Sequence, residues 1–208
     1  MALLNQPISR RAMLGLGSLA GVATLAGCSS NEAGSGSAAS GDTTYKIGVL
    51  QLTEHTALDA ANDGFVKALD DSGISYEIEQ QNAQNDQSAC QTIAQTLVND
   101  GCDLILAIAT PAAQAVAGAT TEIPIVGTAI TDFAASGLVD DNDAPGVNLT
   151  GTSDMNQYMD KQLELIDILV PDAETVGIMY CSGEDNSIIQ AEQAQGILED
   201  MGYEVKVY

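Results

Sequence analysis

Glu54 stands beside His55, the only histidine of this 208-residue chain. A carboxylate next to an imidazole can move protons or hold an ammonium group. Thr110-Pro111-Ala112 joins a hydroxyl to a proline at the favoured first position of a helix. Such a start offers unpaired N–H groups and a positive dipole end, a natural seat for a carboxylate. Thr131-Asp132 pairs a second hydroxyl with a second carboxylate, and Cys181 to Ser187 adds Glu184, Asp185 and Asn186. An anion seat at Thr110, with Glu54 or Asp132 opposite an amino group, suits the zwitterionic end of an amino acid. Each position also has a plainer reading. Thr110, Asp132 and Asn186 are good helix N-caps, and capping alone would explain them. His55 can equally be a satisfied structural residue.

Signatures of enzymatic chemistry are missing. The sequence contains no G-x-S-x-G elbow, P-loop or H-E-x-x-H. The closely spaced glycines Gly15, Gly17 and Gly21 lie in a leader-like segment, and no nucleophile has a base beside it in sequence. Cys90, Cys102 and Cys181 have no C-x-x-C spacing, so no metal site is expected. Cys90 and Cys102 stand at opposite ends of an expected helix, about 15 Å apart at about 1.5 Å per residue, beyond the reach of a disulfide. All three cysteines are expected to be ordinary buried side chains. Binding without catalysis or cofactor is the simpler reading, and no catalytic residue is assigned.

These residues sit in loops of an alternating pattern. Lys46 to Leu52 reads as an apolar strand. Leu58, Ala61, Phe65, Ala68 and Leu69 then recur at helical spacing until Ser72-Gly73. Ile74 to Glu79 alternates as a strand, and Asp86 opens a helix with Ile93, Ala94, Leu97 and Val98 inward. Asp103 to Ala109 is nearly all apolar, as in a strand covered on both faces. Thr110 opens a third helix, Ile123 to Val126 is the fourth strand, and Asp132 to Leu138 is a short helix. The chain then runs extended from Val147 to Asp154. A helix through Met159, Leu163, Ile166 and Leu169 follows, then strand Val176 to Tyr180, a helix from Ile188 to Met201, and strand Glu204 to Tyr208. This alternation predicts an α/β fold with parallel, doubly wound sheets and right-handed crossovers. Ligands of such sheets bind beyond the carboxyl ends of the strands, where Glu54, Thr110 and Thr131 fall. Residues 45–150 are expected to form a first lobe, and 151–208 a hinge with part of a second. Two strands and two helices bury little of a lobe, so the second is expected to be truncated.

The start of the chain has the parts of an export signal. Arg10 and Arg11 precede the apolar run Ala12 to Ala26, and Leu25-Ala26-Gly27-Cys28 follows. The run is shorter than the ~20 residues of a membrane span. Residues 1–27 are therefore expected to be a signal peptide. Ser29 to Thr44, rich in Gly and Ser, reads as a flexible tether within a linker spanning 28–44. Beyond residue 27 the chain keeps all 29 acidic residues and only Lys46, Lys67, Lys161 and Lys206. Such a field repels phosphate backbones and excludes broad nucleic-acid contact. It also disfavours contact with anionic lipid except through an anchor.

Leu25-Ala26-Gly27-Cys28 resembles the lipobox of bacterial lipoproteins, which implies a lipid on Cys28. Ser9-Arg10-Arg11-Ala12-Met13-Leu14 is similar to a twin-arginine export motif, with Met where that motif prefers Phe, so both export routes stay open. From residue 45 onward the sequence resembles the substrate-binding lipoproteins of ABC transporters, in the tryptophan/tyrosine-type group. The matching runs include Ile47 to His55, Gln81-Asn82-Ala83-Gln84, Ala107 to Gln114, Thr131-Asp132, Gly151-Thr152-Ser153-Asp154 and Glu184-Asp185-Asn186-Ser187. The resemblance implies a two-lobed, periplasmic-binding-protein-like clamp, lipid-anchored outside the cytoplasm. It would deliver a small solute, an aromatic amino acid, to a permease and its ATPase. It further implies that Glu54 and His55 line the first-lobe wall and that Thr110 and Ala112 hold the ligand carboxylate. Thr131 and Asp132 would approach the amino end, Ser153 would sit near the hinge, and Asn186 would face the ligand from the second lobe. Phe133 replaces the proline usual after Thr-Asp, and either reshapes that loop or offers an aromatic wall. The sequence has no Trp, so stacking falls to Phe133, Tyr158, Tyr180 or the part of the second lobe expected to be missing. Two other readings stand beside this one: a sensory lipoprotein presenting the same clamp to a receptor, and an enzyme on a similar scaffold.

Overall fold

A computed structural model describes residues 43–208. The expected signal peptide, Cys28 and nearly all of the expected linker lie outside the described residues. The first strand, β1 (Tyr45–Gln51), leads into α1 (Thr56–Ser72), β2 (Tyr76–Asn82) and α2 (Gln87–Asn99). Next come β3 (Leu104–Ile108), α3 (Thr110–Ala119), β4 (Ile125–Ile130) and β5 (Leu149–Ser153). The five strands form one parallel sheet in the order β2-β1-β3-β4-β5. The remaining elements are α4 (Met159–Leu163), α5 (Leu165–Leu169), β6 (Thr175–Ile178), α6 (Asp185–Asp200) and β7 (Glu204–Val207). β6 and β7 pair in parallel as a second, separate sheet. The expected doubly wound α/β architecture is present.

Alternate residues of each strand feed opposite faces of the first sheet, as the period of two requires. Leu50, Ile105, Ala107, Ile125 and Leu149 pack with Ala94 and Leu97 of α2 and Ala113 and Val116 of α3. Val49, Leu106 and Ile108 face the other way, toward Leu58 and Phe65 of α1. β3 is covered on both sides, which explains its nearly unbroken apolar run. Each fully buried Leu or Ile here contributes about 1.5–3 kcal/mol relative to exposure. The chain steps one way from β1 to β2, then crosses back over β1 to β3. The sheet therefore has its topological switch point between β1 and β3, where their carboxyl ends leave a crevice.

Several elements differ from the sequence reading. Asp132 to Leu138 is a turn and not a helix. Leu138 N donates to Phe133 O at 2.9 Å and Gly137 N to Ala134 O at 2.9 Å, with Gly137 at φ 69°. This is the closing pattern of a helix end, so the first turn is also the last. Phe133 turns into the α2–α3 core, its ring edge 3.0 Å from where a Cβ on Gly127 would sit. β2 begins at Tyr76 because Gly73, at φ 71°, and Ser75 are used in the turn that meets Tyr45. β4 begins at Ile125 because Pro124 has no N–H and Asn148 caps Ile123 O at 2.7 Å. The helix expected through Met159 and Leu169 is two short pieces meeting at Glu164, whose φ −55° and ψ −23° are nearer the 3₁₀ form. β5 carries the first sheet on through Ser153. Cys90 and Cys102 are buried, but Cys181 is exposed, because it follows a strand of the thinly covered second sheet.

Candidate functional site

The carboxyl edge of the first sheet gathers five chain segments, and backbone bonds tie them in series. Asn85 N donates to Leu52 O at 2.8 Å, Leu52 N to Ile108 O at 3.2 Å, and Ala109 N to Thr128 O at 3.0 Å. Asp154 N donates to Ile130 O at 3.0 Å, and the Ser153 hydroxyl to Thr131 O at 2.7 Å. The loop bearing Glu54 and His55 and the start of α3 bearing Thr110 thus flank the switch point. Thr131, Asp132 and Ser153 follow on the β4–β5 side. Backbone strain collects at the same edge. Gln84, Asn85, Ala109 and Ala129 all have positive φ, with Ala109 at φ 85° and ψ 154°. That region is almost reserved for glycine and costs of order 1–3 kcal/mol for a residue with a Cβ. The strain at Ala109 is what turns the chain from β3 straight into α3.

Thr110 follows Ala109 and is 1% exposed, yet its hydroxyl has no hydrogen-bond partner. It is the first residue of α3 and not its cap, and no side chain caps this helix. Pro111 has no N–H, so the unpaired donors of the first turn are the amides of Thr110 and Ala112. Ala112 is fully buried and has no polar side-chain atom, so its amide is the one donor it offers. An unpaired buried hydroxyl is destabilising by about 1–3 kcal/mol, and a bound acceptor would relieve it. Two donor amides and this hydroxyl gather at the positive end of a helix, where negative charge is favoured.

The other expected residues have varied surroundings. His55 caps α1, its Nδ1 accepting from Ala57 N at 3.2 Å, and both it and Glu54 are exposed. Thr131 is buried and its hydroxyl accepts from Gln190 Nε2 at 3.5 Å. Asp132 Oδ1 accepts from Ala135 N at 3.0 Å and from Asn142 Nδ2 at 2.9 Å. The Ala135 amide, followed by the Asn142 side chain, holds the Asp132 carboxyl below its ordinary pKa, against an opposing push from burial. Asn186 lies in the first turn of α6, whose N-cap is Glu184, and its Oδ1 is buried without a partner. Unpartnered buried oxygens therefore occur on both lobes.

Sequence reasoning missed the residues that position these groups. Gln51, buried at the end of β1, donates from Nε2 to Thr53 O at 2.8 Å and to Asp59 Oδ1 at 2.7 Å. It fixes the Glu54 loop to the start of α1. Gln114 Nε2 donates to Ser136 O at 3.0 Å and to Asp185 Oδ2 at 2.6 Å, and Gln87 Nε2 donates to Gly183 O. These amides join α2 and α3 to the second lobe around a recess of about 220 Å³. A glutamine on a helix has no sequence pattern that announces such a partner. The apolar recess of about 370 Å³ beside Tyr180 lies within the second lobe, against Met159, Leu163 and Ala191. Of the expected stacking residues, Phe133 is buried in the core, Tyr158 is 70% exposed, and Tyr180 lines this recess.

Residues 46–208 match the family model described as ABC transporter substrate binding protein. The chain belongs to that family. A tyrosine-binding protein of Clostridioides difficile (strain R20291) is 44% identical over 193 residues, covering 89% of this chain and 56% of the relative. The ABC domain from Streptococcus pneumoniae, solved in complex with L-Trp, is 40% identical with a TM-score of 0.75, covering 80% of this chain and 57% of that one. The ligand-free, open structure of a Clostridium difficile substrate binding protein with adhesive properties is 45% identical with a TM-score of 0.59, covering 79% and 57%. The chain thus spans a little over half the length of these substrate-binding proteins. The two sheets are those of a periplasmic-binding-protein-like fold, and no helix among the described residues is long and apolar enough to cross a membrane.

Proposed function

We propose that this substrate-binding protein captures an aromatic amino acid between its lobes and hands it to an ABC permease and ATPase. The observation that carries the reading is the Thr110 hydroxyl, buried and unpartnered at the uncapped start of α3, beside the switch point. Thr110 and the Ala112 amide take the ligand carboxylate. Thr131 and Asp132 take the amino end, and Glu54 and His55 form the first-lobe wall. Ser153 ties the β5 exit to Thr131 near the hinge, and Asn186 reaches the ligand from the second lobe. The similarity to a tyrosine-binding protein and to a domain complexed with L-Trp supports the aromatic choice. With Phe133 in the core, stacking falls to Tyr180 or Tyr158. The mature protein acts outside the cytoplasm, held by lipid on Cys28 after removal of residues 1–27. It has no catalytic role.

Thermal melting of the mature protein against the twenty amino acids tests this. A ligand at a hundred times its Kd adds about 2.7 kcal/mol, a rise of roughly 5–10 °C for a chain of this size. The rise is expected with tyrosine, tryptophan or phenylalanine. No rise with any amino acid overturns the assignment.

A further inference from the structure

We propose that Asn142 is a positioning residue of the solute site: bonded at both ends of its amide to the turn after β4, it holds the Asp132 carboxylate by one oxygen and leaves the other to accept the ligand's ammonium group. The proposal rests on the function proposed above. Asn142 lies in an exposed loop between Asp141 and Asp143, and nothing in its sequence setting marks it. Its Nδ2 donates to Asp132 Oδ1 at 2.9 Å, while its Oδ1 accepts from Ala134 N at 2.9 Å. Asp132 Oδ1 also accepts from Ala135 N at 3.0 Å, so the Asn142 and Ala135 donors fall on the same oxygen, with the nearby Ala134 amide adding a weaker pull on the carboxylate. Among the described residues, Oδ2 receives no hydrogen bond.

The turn that carries the carboxylate is itself held firmly. Thr131 and Phe133, its neighbours on either side, are 7% and 9% exposed. Ser136 N returns to Asp132 O at 3.1 Å, and Gln114 grips Ser136 O from α3. An ammonium partner must be ionised and fixed in orientation, and one carboxylate oxygen that accepts two hydrogen bonds satisfies both conditions. The ionisable groups on the segments joined to this turn are all acidic: Asp140, Asp141 and Asp143 on the following loop, Asp154 after β5, and Asp185 at the start of α6. No lysine or arginine stands on those segments to neutralise Asp132, so neutral amides keep the carboxylate open to an incoming cation.

The test combines Asn142→Ala, Asp132→Asn and the double variant with two ligands, L-tyrosine and 3-(4-hydroxyphenyl)propanoate, which differ only in the amino group. The Asp132 carboxyl is followed by NMR titration in the ligand-free protein. Asn142→Ala is expected to raise the Asp132 midpoint and to weaken L-tyrosine roughly tenfold. The deaminated acid should change by less than about twofold. The double variant should bind L-tyrosine as Asp132→Asn alone does, because Asn142 acts through Asp132. Asn142→Ser, which keeps an acceptor for Ala134 N, replaces the alanine variant if that one melts early. An unmoved Asp132 midpoint overturns the positioning role. Equal losses for both ligands also overturn it, since they would mark a purely structural contact. A raised midpoint with unchanged L-tyrosine affinity overturns the ammonium assignment. Failure of the unaltered protein to bind L-tyrosine overturns the function reading instead, and the titration still decides whether Asn142 holds the carboxylate.

Discussion

The proposed role of Thr110 separates binding from stability at the level of one atom. Its hydroxyl has no partner among the described residues, so Thr110→Val, nearly the same in shape, removes an unsatisfied group and breaks no bond there. Melting of the ligand-free variant should be unchanged or higher, whereas affinity for the amino acid should fall about tenfold, the worth of one hydrogen bond to a charged group. A fall in both would show the hydroxyl to be structural. The thiols give a second contrast. Burial pushes Cys90 and Cys102 up from the ordinary thiol pKa, and Cys181 is exposed. Of these three, only Cys181 should react with a thiol reagent near pH 8 in the native protein, and the other two should follow on unfolding. Asp132 has a pKa lowered by the Ala135 amide and then by Asn142. A lowered carboxyl favours the folded state above its unfolded pKa of about 3.9. That contribution disappears as pH falls through the lower folded value. Comparison of acid unfolding with the Asp132→Asn variant should show the difference shrinking below about pH 4.

Elements meet at backbone distances that side chains cannot share. A Cβ on Gly151 would lie 1.9 Å from Gly127 O across the β4–β5 ladder. Two strands cannot pair at that distance, so Gly151→Ala should cost about 3 kcal/mol, the upper end for overpacking, and denaturant titration should show it. Ala109 presents the opposite case. At φ 85° and ψ 154° it carries strain that glycine does not feel, and Ala109→Gly should raise stability by about 1 kcal/mol. The sequence periodicity located α1, α2 and α3 within a few residues, because apolar spacing and caps such as Asp86 are local signals. Asp86 indeed accepts from Ser88 N at 2.7 Å and from Ala89 N at 3.2 Å. The turn at Asp132 escaped that reading, since its end depends on Gly137 adopting positive φ and on Asn142, ten residues away.

Across the whole molecule, the first sheet is covered on both faces and the second is sparsely covered. Met179 is 89% exposed and Leu169 75% exposed, so most of the folding energy resides in residues before Asp154. The lobes are joined by side-chain amides, chiefly Gln114 to Asp185 and Gln87 to Gly183. Few, polar and side-chain mediated contacts favour relative motion of the parts they join. Gln114→Ala should therefore speed hydrogen exchange at the start of α6 while leaving protection of β1 and β3 unchanged. Equal exchange at α6 would show that the lobes are held together by other means.

The alternation from β1 to β4, the sheet's parallel sense and the loops at its carboxyl edge were determined by sequence alone, because hydrophobic period and helix punctuation act over a few residues. The family resemblance was legible in the same loops, from Ile47-Gly48-Val49 to Glu184-Asp185-Asn186. Tertiary structure decided which polar atoms in those loops keep a partner. Thr110 could be read as a cap or a ligand residue and His55 as a structural or a ligand residue, and only the fold gives His55 an amide to cap while leaving the Thr110 hydroxyl without a partner among the described residues. It likewise sent Phe133 into the core beneath Gly127 and brought Gln114 to Asp185, 71 residues on. Hydrogen bonds and packing between distant segments depend on where the backbone places them, and no local pattern of residues encodes that placement.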